Sequence, residues 1–204
     1  MNILAIESAS TICGVAIFLK SKLVELDEID QPRIHGNRLP VLIHDILNNH
    51  SITINQLDGI AISSGPGSYT GLRIGMSLAR GLAASGGIPI IPVPTLFSMN
   101  VHIQKKGIYW IMLHSHKNLV YAQRYLSGEP YSEVVFVEYN ADEHESVYGY
   151  NLENLCEDYK SIPPSAQSVG ELALQNYDKW VEEDLNQVSL NYITHFNLGK
   201  VKKA

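Results

Sequence analysis

The sequence predicts an α/β protein built as two lobes, the second smaller than the first, and three observations carry that prediction. Residues 2–28 read as three consecutive strands joined by short turns, which makes an antiparallel meander. Residues 37–93 then alternate helix and strand. Apolar residues recur at helical spacing at Leu39, Leu42, Ile43, Ile46 and Leu47, and again at Leu72, Met76, Ala79, Leu82 and Ala83. Past Lys105-Lys106-Gly107 the pattern returns to strands, so a boundary is expected there, with residues 1–104 as the first domain and 105–204 as a smaller α/β domain.

Bulk properties fit that class and exclude others. A chain of 204 residues can bury one sizeable core or two small ones. Its 45% hydrophobic and 18% charged residues are ordinary for a soluble globular protein, so neither a disordered nor a fibrous class is suggested. The formal charge of −6 argues against this chain gripping a nucleic-acid backbone by itself. No stretch has the basic start and apolar run of a signal peptide, and none is long enough to span a bilayer, so a cytoplasmic location with no membrane contact is expected. Cys13 and Cys156 stand far apart with no second pair and read as buried thiols rather than a disulfide or metal site.

The elements come in order. Strands are expected at Asn2–Glu7, Cys13–Leu19 and Lys22–Glu28. A helix runs next from Asn37 to His50, with Pro40 tolerated in its first turn. Asp58–Ser64 is a buried strand. A second helix runs Thr70–Ser85, carrying small residues at Gly75, Ala79, Gly81, Ala83 and Ala84 that permit close packing. The run from Ile88 closes the domain as a strand that its prolines push toward a sheet edge. A short helix, Thr95–Gln104, precedes the boundary. Beyond it come strands at Ile108–His114, Leu119–Leu126, Ser132–Tyr139 and Ser146–Tyr150, then a helix from Ser165 to about Tyr177. No internal repeat is visible in residue identity.

The stretch richest in information joins the Asp58–Ser64 strand to the helix after it: Gly65-Pro66-Gly67-Ser68-Tyr69-Thr70-Gly71-Leu72-Arg73-Ile74-Gly75. Glycines at 65, 67 and 71 permit a tight turn and close approach, and Ser68 or Thr70 can cap the helix. A helix start of this kind presents free N–H groups that attract anions. The standard phosphate loops do not fit, because position 72 is leucine rather than lysine and the third glycine falls one residue late for a dinucleotide turn. On bare physics a structural turn competes with an anion loop made of Gly65, Gly67, Ser68, Tyr69, Thr70, Gly71 and Arg73.

No catalytic constellation is found. There is no Gly-x-Ser-x-Gly elbow, no Cys-His context and no His-Glu-x-x-His, so hydrolase and protease chemistry lack their parts. His114-Ser115-His116 sets two rings on one strand face at a turn, without a carboxylate or cysteine nearby in sequence, and no metal site is assigned there or elsewhere.

The glycine-rich run resembles the signature of the TsaB (YeaZ) family of bacterial tRNA threonylcarbamoyladenosine biosynthesis proteins. Two more stretches agree: Met1–Val15, and His35-Gly36-Asn37-Arg38-Leu39-Pro40. The match is dense over the first half and thin beyond it. The resemblance implies a two-lobed actin-like (ribonuclease H-like) fold of the actin, sugar-kinase and Hsp70 (ASKHA) superfamily, with a reduced, divergent second domain.

It also implies a role: a non-catalytic partner subunit of the complex that forms N6-threonylcarbamoyladenosine at adenosine 37 of tRNAs. A TsaD-like catalytic paralogue would hold ATP and a metal bound by a His-x-x-x-His pair that this chain lacks. A TsaE-like ATPase would join, tRNA would be met only through the complex, and the chain alone would form a homodimer with no cofactor of its own. Relatives pair through the two helices, which points to Leu39, Leu42, Ile43, Ile46, Met76, Ala79, Arg80 and Ala83 as the partner face; the alternative is that both stripes are simply core. Glu7 and Ser8 stand where relatives have Asp-Thr at a nucleotide's phosphate end, and Glu7 is either a remnant of that contact or a solvated strand-end carboxylate.

Departures remain. His114 and His116 replace the family's Asp-Ala-Arg turn, and Leu190-Asn191-Tyr192-Ile193-Thr194 replaces a tail with proline and arginine. Two rival readings stay open: a nucleotide-dependent phospho- or carbamoyl-transferase, which needs an Asp-Gly-Gly loop that does not occur, and a homodimeric scaffold.

Overall fold

The strands ILAIE and GIAIS are apolar on both sides, a pattern that belongs in the middle of a sheet covered on both faces. In the computed structural model, which describes residues 1–140 and 146–193, they are the two central strands of the first sheet. β1 (Ile3–Glu7), β2 (Ile12–Leu19) and β3 (Lys22–Asp30) form the antiparallel meander. β4 (Gly59–Ser63) and β5 (Ile90–Val93) add parallel to β1, giving the order β3-β2-β1-β4-β5. β5 lies at the edge, where Pro92 is tolerated.

Because successive side chains in a strand point to opposite faces, this sheet has two cores. Leu4, Ile6, Val15, Ile17, Ile60 and Ile62 pack on α1 (His35–Asn49) and α2 (Tyr69–Gly86). Ile3, Ala5, Ala16, Phe18 and Ala61 pack on α4 (Ala166–Gln175). α1 starts two residues earlier than expected, so Pro40 sits past the first turn. The Gly36 carbonyl therefore has no N–H four residues on, a loss that costs little at a solvent-exposed position.

The second sheet is built on the hairpin β6 (Ile108–His116) and β7 (Leu119–Leu126). The outer side of β7 takes the two-residue β8 (Glu129–Pro130) at one end and β9 (Val135–Glu138) at the other. β10 (Val147–Tyr150) and β11 (Tyr159–Ser161) add parallel to β6. Its inner face, with Tyr109, Ile111, Leu113 and Tyr125, buries Leu96 and Met99 of α3 (Thr95–Asn100). Tyr109 donates to Asn100 Oδ1 at 2.7 Å, which satisfies a hydroxyl that would otherwise be stranded in that core.

After α4 comes the one-turn α5 (Tyr177–Trp180), and the chain then returns along the first lobe. Glu182 bridges to Ile90 on β5, Val188 and Leu190 join the first core, and the Asn191 amide reaches the Ser64 carbonyl at 2.7 Å. Residues 166–193 thus pack largely with the first sheet, and a division at 104/105 puts them in the wrong lobe. The physical reason is that α4's apolar stripe announces a buried face without saying which sheet buries it. Thr194, the last residue of the expected tail motif, lies outside the described residues. Among the described residues no helix is long and apolar enough to cross a membrane.

Candidate functional site

The glycine-rich run turns from β4 into α2 against the β1–β2 turn. Gly71 and Gly75, four apart, share one face of the helix, and a Cβ on either would collide with Ser8, through its carbonyl oxygen and its Oγ respectively. The spacing that defeats the dinucleotide pattern is therefore the spacing of a helix seated on a strand end. Ser68 caps the helix, its Oγ accepting from the Gly71 amide at 3.2 Å, while its own N–H donates to the Ala9 carbonyl at 2.7 Å.

Beyond this contact a cleft of about 820 Å³ opens between the lobes. One wall is the β1–β2 turn with Gly67, Ser68, Tyr69, Thr70 and Gly71; the other is the second-lobe hairpin tip with His114, Ser115 and His116. Arg33 and His35 also line it, and no carboxylate is among the described lining residues. His35 donates through Nε2 to the Ile12 carbonyl at 2.9 Å, tying the start of α1 to β2. Thr11 links the lobes: its hydroxyl lies 3.0 Å from the Tyr150 hydroxyl of β10 and donates to Asp30 at 2.6 Å.

Glu7 and Ser8 are not in this cleft. Both are fully buried, so Glu7 is neither a solvated strand end nor a carboxylate facing a ligand. Burial pushes the Glu7 carboxyl up to about 8; the Ala9 amide opposes the shift, the nearby Glu28 carboxylate adds to it and the Ser63 hydroxyl again opposes it. Glu28 shifts upward as well, chiefly by burial, against the Ala166 amide that donates to it at 2.6 Å. Burial thus disfavours the charged form at the first-lobe strand end, a poor arrangement for holding a cation. Among the described residues no three His, Cys, Asp or Glu side chains gather to hold a metal. Cys13 is buried, its thiol pushed up to about 11 by that burial.

Of the expected anion loop, Gly67, Ser68, Tyr69, Thr70 and Gly71 line the cleft, and Gly65 and Arg73 do not. Arg73 is engaged elsewhere: its guanidinium lies 3.9 Å over the Tyr69 ring and its Nε donates to the Tyr192 hydroxyl at 3.0 Å. Among the expected partner-face residues, Leu39, Leu42, Ile43, Ile46, Met76, Ala79 and Ala83 are in the first core, each at most 4% exposed. An apolar stripe found by helical period is the stripe the sheet buries, which corrects their placement on a surface. Arg80 turns to the returning tail and donates to the Val188 carbonyl.

Sequence reading missed Arg33, Tyr121, Phe136 and the Thr11–Tyr150 link. Tyr121, Phe136 and the Thr11–Tyr150 link come together only through elements distant in the chain, and Tyr121 shares the inner face of β7 with Tyr125.

The strand order, the two lobes and the cleft between them define a two-lobed actin-like protein of ribonuclease H topology. A family model described as "TsaD: tRNA N6-adenosine threonylcarbamoyltransferase" matches residues 30–173, and the chain belongs to that family. It is 35% identical over 99 residues to the tRNA threonylcarbamoyladenosine biosynthesis protein TsaB of Haemophilus influenzae, covering 48% of this chain and 42% of that protein. Against TsaB of Escherichia coli the identity is 37% over 99 residues, with the same coverage. The alignments thus span less than half the length of these relatives. In structure the chain is similar to YeaZ from Pseudomonas aeruginosa, with a TM-score of 0.75 at 19% identity, covering 94% of this chain and 99% of that one. It is also similar to a P. aeruginosa protein described as having similarity to peptidase YEAZ, with a TM-score of 0.79 at 20% identity and coverage of 95% and 99%.

Proposed function

We propose that this chain is a non-catalytic partner subunit in the formation of N6-threonylcarbamoyladenosine on tRNA, binding and supporting a TsaD-like catalytic subunit in the cytoplasm. Kinship with TsaB proteins supports the pathway. One observation carries the non-catalytic part: the strand-end carboxyl, Glu7, is fully buried and is not among the described residues that line the cleft. ATP and metal then belong to the partner, and a TsaE-like ATPase joins the pair. The chain's contribution is differential binding, stabilising one state of its partner.

The core stripes leave a different face of the same two helices for contact. Val41 is 41% exposed on α1, Ile74 and Leu78 are half-buried on α2, and nothing lies within 4 Å of where a Cβ on Gly81 would stand. These positions mark the docking face, for TsaD in the complex and for a second copy when the chain is alone, with Ile74 where that face meets the cleft. Size-exclusion chromatography with light scattering on the chain mixed with a TsaD-like subunit tests it. A mixed complex is expected, lost in Val41→Asp and Leu78→Asp with the helical spectrum retained. No complex under any nucleotide condition sinks the reading.

A further inference from the structure

Beside the cleft lies a second space that the partner-subunit role does not use. It is a slot of about 150 Å³ walled by Tyr69, Tyr121 and Tyr192, with Asn191 and Ile193 at its rim, and it shares Gly67, Tyr69 and Tyr121 with the cleft. Tyr69 is 55% exposed and Tyr192 44%, their centroids 5.2 Å apart. The Arg73 guanidinium lies over both rings, at 3.9 and 5.8 Å. On the opposite wall Tyr121 stacks on Phe136 at 4.5 Å, and His116 lies 6.3 Å from Phe136. Exposed rings braced by a planar cation form a stacking surface for a flat heteroaromatic group.

The adjoining cleft supplies what such a group carries with it when it is a nucleobase. Arg33, Ser10, Thr70 and the two hairpin histidines face a space with no carboxylate among its described lining residues, in a chain whose overall charge is −6. That local exception suits a phosphodiester. It suits magnesium-bound ATP less well, because none of the described lining residues is a carboxylate that could share the cation. Arg33 is the one lysine or arginine among the described lining residues of the two spaces, which limits the grip to one or two nucleotides rather than a duplex.

We infer that the tyrosine slot takes the base of one unstacked nucleotide of an RNA strand, with its phosphate in the adjoining cleft. The nucleotide site stands on these walls alone; that the strand is RNA rests on the proposed role in tRNA modification.

Fluorescence anisotropy of a labelled short single-stranded RNA, titrated with the full chain alone, tests it, with AMP and magnesium-ATP as competitors. Saturable binding is expected, weakened about fivefold or more in Tyr192→Ala and in Tyr69→Ala. Tyr192→Trp, which keeps the stacking ring and loses the hydroxyl, should bind as the parent does, and His44→Ala on the exposed side of α1 should change nothing. Absence of saturable binding below about 1 mM, or equal binding by both alanine variants, overturns the site. Displacement by magnesium-ATP at lower concentration than by unlabelled RNA overturns the strand and makes the occupant a free nucleotide. These outcomes do not depend on TsaD, so the partner reading can fail while this one stands, and the reverse.

Discussion

The two sheets share one plan and differ in how it is clothed. In the first the order is β3-β2-β1-β4-β5; in the second the corresponding path is β9-β7-β6-β10-β11, again two antiparallel steps and then two parallel ones. In the first lobe the third strand leads into α1 and the fourth into α2. In the second the fourth strand leads only into residues 151–158, whose Leu152, Leu155 and Cys156 cover Met112, Val120 and Val147. The effect shows at the hairpin tips that face each other. The start of α2 packs on the first tip, where Glu7 and Ser8 are fully buried, whereas His114 and Ser115 in the second stay half-exposed and line the cleft. A strand end becomes structural or available according to whether the fourth strand leads into a helix.

The strongest way to break this comparison is to spoil the clothing of the first sheet. Ile43→Asp places an unpaired charge against Ile6 and Ile62 and is expected to cost several kcal/mol, comparable to the stability of such a domain. Loss of the cooperative transition by circular dichroism is the expected result, and a folded variant would return that helix face to the surface.

Glu7 gives the next effect. Its folded value is about 8, against 4.5 in an open chain, so between these values the folded protein keeps a proton that the unfolded chain has released. Stability therefore falls as pH rises through that window, on the order of 1 kcal/mol per pH unit, and the loss is complete above the folded value. Glu7→Gln preserves the neutral shape and should flatten the urea midpoint across the window, apart from the contribution of Glu28, which shifts the same way. An unchanged slope would mean that the proton sits elsewhere.

Gly170 tests which sheet α4 clothes. A Cβ there would run into the Phe18 ring of β2, so Gly170→Val is expected to destabilise by about 1–3 kcal/mol and to speed amide exchange in β1 and β2 first. Faster exchange in β10 and β11 instead would return α4 to the second lobe. The smallest effect belongs to the link between lobes: Tyr150→Phe removes the 3.0 Å contact with Thr11 and should cost about 1 kcal/mol, read as a shift in melting temperature.

Much of the first lobe was legible, because its signals are local. Three strands with short turns, two long apolar stripes and a capped glycine turn are each contained in a short window. What escaped depended on partners far along the chain. Glu7 reads as a strand end, and its burial is decided by elements that reach it from elsewhere in the fold. Arg73 reads as part of an anion loop and Arg80 as part of a partner face, yet the returning segment takes both, through Tyr192 and Val188. β11 has three residues and β8 two, too few to show a period. Of the site, the cleft wall from Gly67 to Gly71 was visible, while the aromatic side was not, since β7, β9 and the tail meet there only in the folded chain.

The cross-packing of the helices that close each half has a consequence for biogenesis. α3 comes after the last strand of the first sheet and seals the second, whereas α4 comes after the last strand of the second and seals the first. As the chain leaves the ribosome, Ile3, Ala5 and Phe18 are paired early yet stay wet on one side until residues 166–175 emerge. The amino-terminal half is thus the first to be made and among the last to be finished, and a ribosome that stalls anywhere in between leaves a greasy sheet open to chaperones and proteases.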